Sequence, residues 1–186
     1  MDTAAVAILV IALVILGAGA WFAWHSYNRK MLKQRFGPEY QRAVRDYGTE
    51  SKAESALTKR TQRLKNYTIR PLTQREHDEF ASGWRNTQAR FVDDPRRAVR
   101  EADTLVCRLM ETRGYPMTDF DQRAQDVSVD HPHVVQNYRA AHKIAVADSG
   151  EKVSTEDLRR ALVHYRALFD ELLQTQPAST RHEVHA

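Results

Sequence analysis

Residues 129–142 read VDHPHVVQNYRAAH, three histidines and an aspartate within fourteen positions. Imidazole and carboxylate groups at such density are the raw material of a metal site or an acid–base pair. Helical geometry tests that reading. With Pro132 at the first position of a helix and 100° per residue, Val134, Tyr138, Ala141 and Ala145 share one face, the expected buried one. His133 falls roughly 130° away, towards solvent. His131 and His142 lie near the buried side, yet eleven residues separate them, about 16 Å along the axis, too far for one metal ion. A His131-x-His133 clip would need ligands from elsewhere. The expectation is therefore a capped helix start: Asp130 or His131 as cap, Pro132 in the first turn, Asp130 favoured by the helix dipole. If the stretch has a role beyond folding, it is a partner surface on the rim carrying His133, Asn137 and Arg139.

Other reactive residues give less. Ser128 precedes His131, but no third group or oxyanion hole accompanies the pair. His182 and His185 in the tail are spaced i, i+3 and lack the HExxH pattern. His77 and His164 stand alone. The single cysteine, Cys107, sits in an apolar stripe with Leu105, Val106, Leu109 and Met110, with no His or Lys partner within helical reach to make a thiolate. It reads as a small buried hydrophobe, and one cysteine excludes an internal disulfide. Acid pairs such as Asp93-Asp94 and Glu156-Asp157 sit at helix starts, where the macrodipole explains them. No catalytic residue, metal ligand or cofactor emerges.

The elements around these residues carry more information. Of 186 residues, 42% are hydrophobic and 28% charged, enough for one packed domain with attachments. Ala4 to Trp24, AAVAILVIALVILGAGAWFAW, holds no charge, and its 21 residues span roughly 31 Å as a helix, the thickness of a bilayer core. Trp21, Trp24 and Tyr27 gather where a headgroup belt would lie. Ala18-Gly19-Ala20 has the shape of a cleavage site, so export of a soluble helical protein is the alternative. Against it, only MDT precedes the run, and the run continues past the cut.

Charge then sets orientation. Arg29, Lys30, Lys33, Arg35, Arg42 and Arg45 follow the run closely and no Lys or Arg precedes it, so the N-terminus is expected outside and the remainder in the cytoplasm. Residues 29–66 hold eleven Lys and Arg against four acids, a net of +7, whereas residues from 67 onward carry −2. Arg29, Lys30, Lys33 and Arg35 are the expected contacts for anionic headgroups, each worth on the order of 1 kcal/mol. A nucleic-acid partner is disfavoured, because the basic residues are not set in a recognition motif.

From this follows an all-α chain in four parts. Residues 1–28 form a transmembrane anchor, and residues 29–70 a basic helical stalk, bent near Gly48 and either docked loosely or paired with another copy through the sparse stripe Tyr40, Val44, Tyr47, Leu57, Leu64 and Tyr67. Residues 71–176 form a compact bundle of four to five helices, and 177–186 a disordered tail. Within the bundle, Thr73 with Glu76 and Ser154 with Asp157 fit capping boxes, Asp94-Pro95 a helix start, and Gly114 a stop. Thr118 opens a short helical turn carrying Phe120 and Ala124. The stripes Phe80-Trp84-Thr87-Phe91, Val99-Ala102-Val106-Leu109 and Leu158-Leu162-Tyr165-Phe169-Leu172 are the expected core.

At residues 91–116, FVDDPRRAVREADTLVCRLMETRGYP, and 119–142, DFDQRAQDVSVDHPHVVQNYRAAH, the sequence resembles a family of uncharacterised bacterial proteins. These join an N-terminal membrane segment to a helical domain, and the resemblance covers roughly residues 33–174. It implies that architecture and brings neither an activity nor functional residues. The expected function is a membrane-anchored, non-enzymatic interaction or scaffold domain facing the cytoplasm, with a protein partner or a second copy of itself. An enzyme or enzyme subunit is the competing class.

Overall fold

A computed structural model describes residues 3–148 and 153–174, with side chains at 3–10, 12, 14, 21, 23 and 25 outside the description. The expected tail 177–186 and its histidine pair lie outside the described residues. Among these residues the chain is all-helical, as expected. It runs α1 (Thr3–Phe36), α2 (Pro38–Tyr47), α3 (Glu50–Leu64), α4 (Gln74–Arg90), α5 (Pro95–Arg113), α6 (Phe120–Asp130), α7 (Val135–Ala147) and α8 (Thr155–Gln174).

Local chemistry sets most boundaries. Thr73 and Glu76 form a reciprocal capping box at the start of α4. Arg70 closes on the same carboxylate with two bonds of 2.8 and 2.6 Å, and these with the Thr73 N–H hold Glu76 down at about 2. Asp94 caps α5 ahead of Pro95, and Ser154 Oγ accepts the Asp157 N–H at 3.1 Å near the start of α8. Asp119 caps α6 by accepting the Gln122 N–H at 2.9 Å, so the short turn expected after Thr118 is an eleven-residue helix.

Helices α7 and α5 pack on α8, with α4 laid against α5; the α2–α3 hairpin packs on α6. One hydrophobic cluster runs through both groups, from Phe36, Tyr40 and Leu57 to Val106, Tyr138 and Leu172. All five residues of the α8 stripe are buried, and Trp84 stacks on Phe169 with centroids 4.6 Å apart.

The loosely docked stalk is therefore replaced by a packed subassembly. The chain does break at Gly48, the left-handed C-cap of α2. A second break falls at Gly37, and Phe36 at the end of α1 is fully buried. The sequence stripe looked thin because this face buries charged residues among apolar ones: Glu39, Glu54 and Arg60 are inside with Ala43, Ala53 and Leu64.

Among the described residues, no helix is long and apolar enough to cross a membrane. Eleven side chains of the Ala4–Trp24 run stand outside that set, so the run rests on the sequence.

Gly114 shows how tightly one junction is built. Its φ of +92° is accessible to glycine, and a Cβ there would meet the Thr68 carbonyl oxygen at 2.4 Å. Next to it, Arg113 is almost wholly buried. Its Nη1 donates to the Leu172 carbonyl at 2.9 Å and its Nε to the Arg70 carbonyl at 3.3 Å. One guanidinium thus satisfies an orphan carbonyl in the last turn of α8 and fastens the α3–α4 connection to the end of α5.

Candidate functional site

The centre of the molecule's polar chemistry is Glu39, in the first turn of α2 and fully buried. Gly37 turns the chain off α1, Pro38 starts α2, and the amino end of that helix favours a carboxylate. Arg60 of α3 donates Nη1 to Oε1 at 2.9 Å. From α7, Arg139 forms a fork, Nη1 to Oε2 at 2.7 Å and Nη2 to Oε1 at 2.9 Å, and Gln136 Nε2 donates to Oε2 at 2.9 Å. A carboxylate has about four acceptor positions, and here all four are taken. Glu39 has no lone pair left for a metal or a substrate proton. It joins three helices, and leaves two guanidiniums facing one carboxylate, a surplus of one positive charge.

The opening stretch is placed differently from its expectation. Helix α6 runs through Asp130, His131 is its C-cap, and its N–H reaches the Val127 carbonyl at 2.8 Å. Pro132 thus follows a helix end, where a residue without N–H also fits, and α7 begins three residues later with no side-chain cap. Asp130 accepts the Tyr115 hydroxyl at 3.1 Å. The cap assigned to Asp130 or His131 at the start of the next helix is corrected accordingly.

Tyr138 and Ala141 are fully buried, whereas Val134 and Ala145 are only half-buried. His133 is exposed, its Cε1 3.2 Å from where a Gly37 Cβ would stand. His131 is buried with Nδ1 3.2 Å from Glu171 Oε1, and half-buried His142 stacks on Phe120 at 3.6 Å. The three rings serve three different contacts. Among the described residues no three His, Cys, Asp or Glu side chains group as metal ligands.

The rim expected as a partner surface is divided likewise. Arg139 belongs to the Glu39 cluster, its side chain 13% exposed. Asn137 Oδ1 accepts His164 Nδ1 at 3.0 Å, so His164 does not stand alone. Of the three residues, His133 is the exposed one. Arg139 could not be placed from its own helix, because the group it pairs with lies 100 residues earlier in the segment read as a detached stalk.

The four cations expected to contact headgroups are also partly engaged. Arg29 bonds Glu50 at 2.8 Å and Glu54 at 3.0 Å, Lys33 bonds Glu50 at 3.3 Å, and Arg35 faces Asp130 at 4.0 Å. These pairs fasten the last turns of α1 to α3 and α6. Lys30 is exposed and has no ion pair among the described residues. Cys107 is half-buried, its Sγ 4.0 Å from the Tyr138 hydroxyl, and burial pushes its thiol up, away from the nucleophilic form.

His131 gives the molecule a pH dependence. Burial pushes its imidazole below the ordinary 6.5, although the Glu171 hydrogen bond opposes this; burial lowers His142 as well. As pH falls, the unfolded chain takes up these protons first, so stability is full above about 6.5 and is lost as pH falls through that value. The urea midpoint should drop between about pH 7.5 and pH 5, and His131→Gln should flatten that slope. An unchanged slope in the variant would show that His131 is not the group responsible.

Comparison with protein-family models, curated proteins and solved structures gives no match. The class that fold and site define is an all-helical domain pinned by a buried ion cluster, entered directly from a long N-terminal helix.

Proposed function

We propose that the chain is a single-pass membrane protein whose first helix crosses the bilayer and leads without a linker into a cytoplasmic interaction domain. The observation carrying this reading is the continuity of α1, Thr3–Phe36. Its first part holds the uncharged run Ala4–Trp24, on which Leu13, Ile15, Leu16 and Phe22 are all more than 60% exposed. Its last part enters the core through Phe36 and is paired to α3 by Arg29 and Lys33. Large exposed apolar surface on one helix needs an apolar partner, and a bilayer supplies it on every side.

The cationic flank after the run favours the cytoplasmic side for the domain. Lys30 is the flank residue left for anionic headgroups, the other three being engaged by acids. With Glu39 saturated and Cys107 held as a thiol, the reading is binding rather than catalysis. A protein partner would dock on the exposed face near His133.

Membrane fractionation at alkaline pH, with the intact mass of the recovered chain, tests this. Expected is a full-length chain, retaining residues 1–20, that stays with the membrane pellet. A soluble chain beginning after Ala20 would mean export. A C-terminal reporter active only outside the membrane should be silent.

A further inference from the structure

Beside the Glu39 cluster, between α3 and α6, lies a cavity of about 450 Å³, a size common for small-molecule sites. Lys52, Lys59, Arg60 and Arg63 line it together with the amides of Gln122 and Gln125, and no acid does. Lys52, Ala56, Lys59 and Arg63 are spaced i, i+4, i+7, i+11, one face of α3, and the small Ala56 leaves room between the cations. Arg63 is compensated by the buried Asp126 behind it. Lys52 and Lys59 are exposed and have no ion pair among the described residues. Arg60 is more than nine-tenths buried; it shares Glu39 with Arg139, and its Nε finds no acceptor. Its Nη1 reaches only Ser128 Oγ at 3.5 Å besides Glu39.

We infer that this cavity is a binding site for a phosphate group carried by a small headgroup-sized molecule. Two free ammonium groups and the surplus positive charge of the Glu39 cluster call for an anion of more than one charge. The two glutamines supply neutral donors for its remaining oxygens. A dianionic phosphate ester meets both demands, and the volume leaves space for a polyol or similar group attached to it.

Position admits two sources for that chemistry. Arg29 stands five residues after Trp24, about 7.5 Å along α1, and pairs with Glu50 and Glu54, the residues that bracket Lys52. If α1 crosses the bilayer as proposed above, the Lys52 end of the cavity lies at headgroup level, and a phospholipid with a phosphomonoester headgroup enters from the membrane. A soluble phosphate ester would enter from the cytoplasm. The site itself rests on the cavity and not on the membrane reading.

The test uses the full-length chain, once in detergent with glycerol 3-phosphate titrated by calorimetry, and once in nanodiscs of neutral lipid with or without phosphatidic acid, whose headgroup is the same phosphomonoester. Saturable binding that weakens with salt is expected in at least one arm. Lys52→Ser with Lys59→Ser should weaken it by about tenfold or more, while Lys65→Ser with Lys143→Ser, the same charge change outside the cavity, should leave it nearly unchanged. Binding of the soluble ester assigns a free ligand, and binding only to phosphatidic acid discs assigns the lipid. No saturable binding in either arm, or equal loss in both variants, overturns the site. Because the detergent arm needs no bilayer, a failure of anchoring stays distinct from a failure of binding.

Discussion

Glu39→Gln is expected to lower the folding stability by about 3–5 kcal/mol, the usual cost of removing one partner from a buried ion pair. The carboxylate accepts four hydrogen bonds from Arg60, Arg139 and Gln136. An amide keeps the shape but loses the charge, and turns a donor towards guanidiniums that have only donors to offer. Two nearly buried cations then stand without a counter-ion. Urea denaturation should show a large fall in midpoint with an unchanged slope. The companion variant Glu39→Leu, Arg60→Met, Arg139→Leu should recover much of the loss, because an apolar replacement leaves no charge buried alone. A loss below about 1 kcal/mol for Glu39→Gln would mean that the cluster is solvated and fastens nothing.

Gly114→Ala is the second large effect, on the order of 3 kcal/mol. At φ +92° an alanine costs backbone strain, typically about 1–3 kcal/mol. Its Cβ would also stand 2.4 Å from the Thr68 carbonyl oxygen, which is backbone and cannot rotate away. Relief requires the 65–73 connection to lift, and that movement pulls on the Arg113 bonds to Arg70 and Leu172. Thermal unfolding should therefore report a lower midpoint than for Gly48→Ala. That position has a similar backbone angle, but an added Cβ meets nothing within 4 Å. Equal midpoints for the two variants would assign the whole effect to strain and none to the contact.

The two residues show what a sequence exposes and what it hides. Gly114 was legible as a helix stop because the signal is local: a stripe ends, glycine follows, and Pro116 comes soon after. The capping residues Thr73, Asp94 and Ser154 were legible for the same reason. Pro132 misled, since a proline between two helices suits the end of one as well as the start of the next. Glu39 was invisible as a site. Its partners lie 21, 97 and 100 residues away, and a buried glutamate or arginine reads as a polar position on any helical wheel. That misreading thinned the apparent stripe of α2 and α3 and detached them from the bundle. It also sent Arg139 to the surface. The cavity could have been suspected from Lys52, Ala56, Lys59 and Arg63 on one face, but only packing against α6 gives it a second wall.

The most direct test of the account is amide hydrogen exchange across residues 4–40 of the full-length chain, compared in nanodiscs and in detergent-free buffer. A helix that crosses the bilayer and continues into the domain predicts slow exchange through residues 4–24 only when the bilayer is present. It also predicts slow exchange from residue 25 to Phe36 with no fast gap. A fast-exchanging interval between Trp24 and Lys33 would contradict the direct coupling of anchor and domain. Equal exchange of residues 4–24 with and without lipid would contradict the anchor itself.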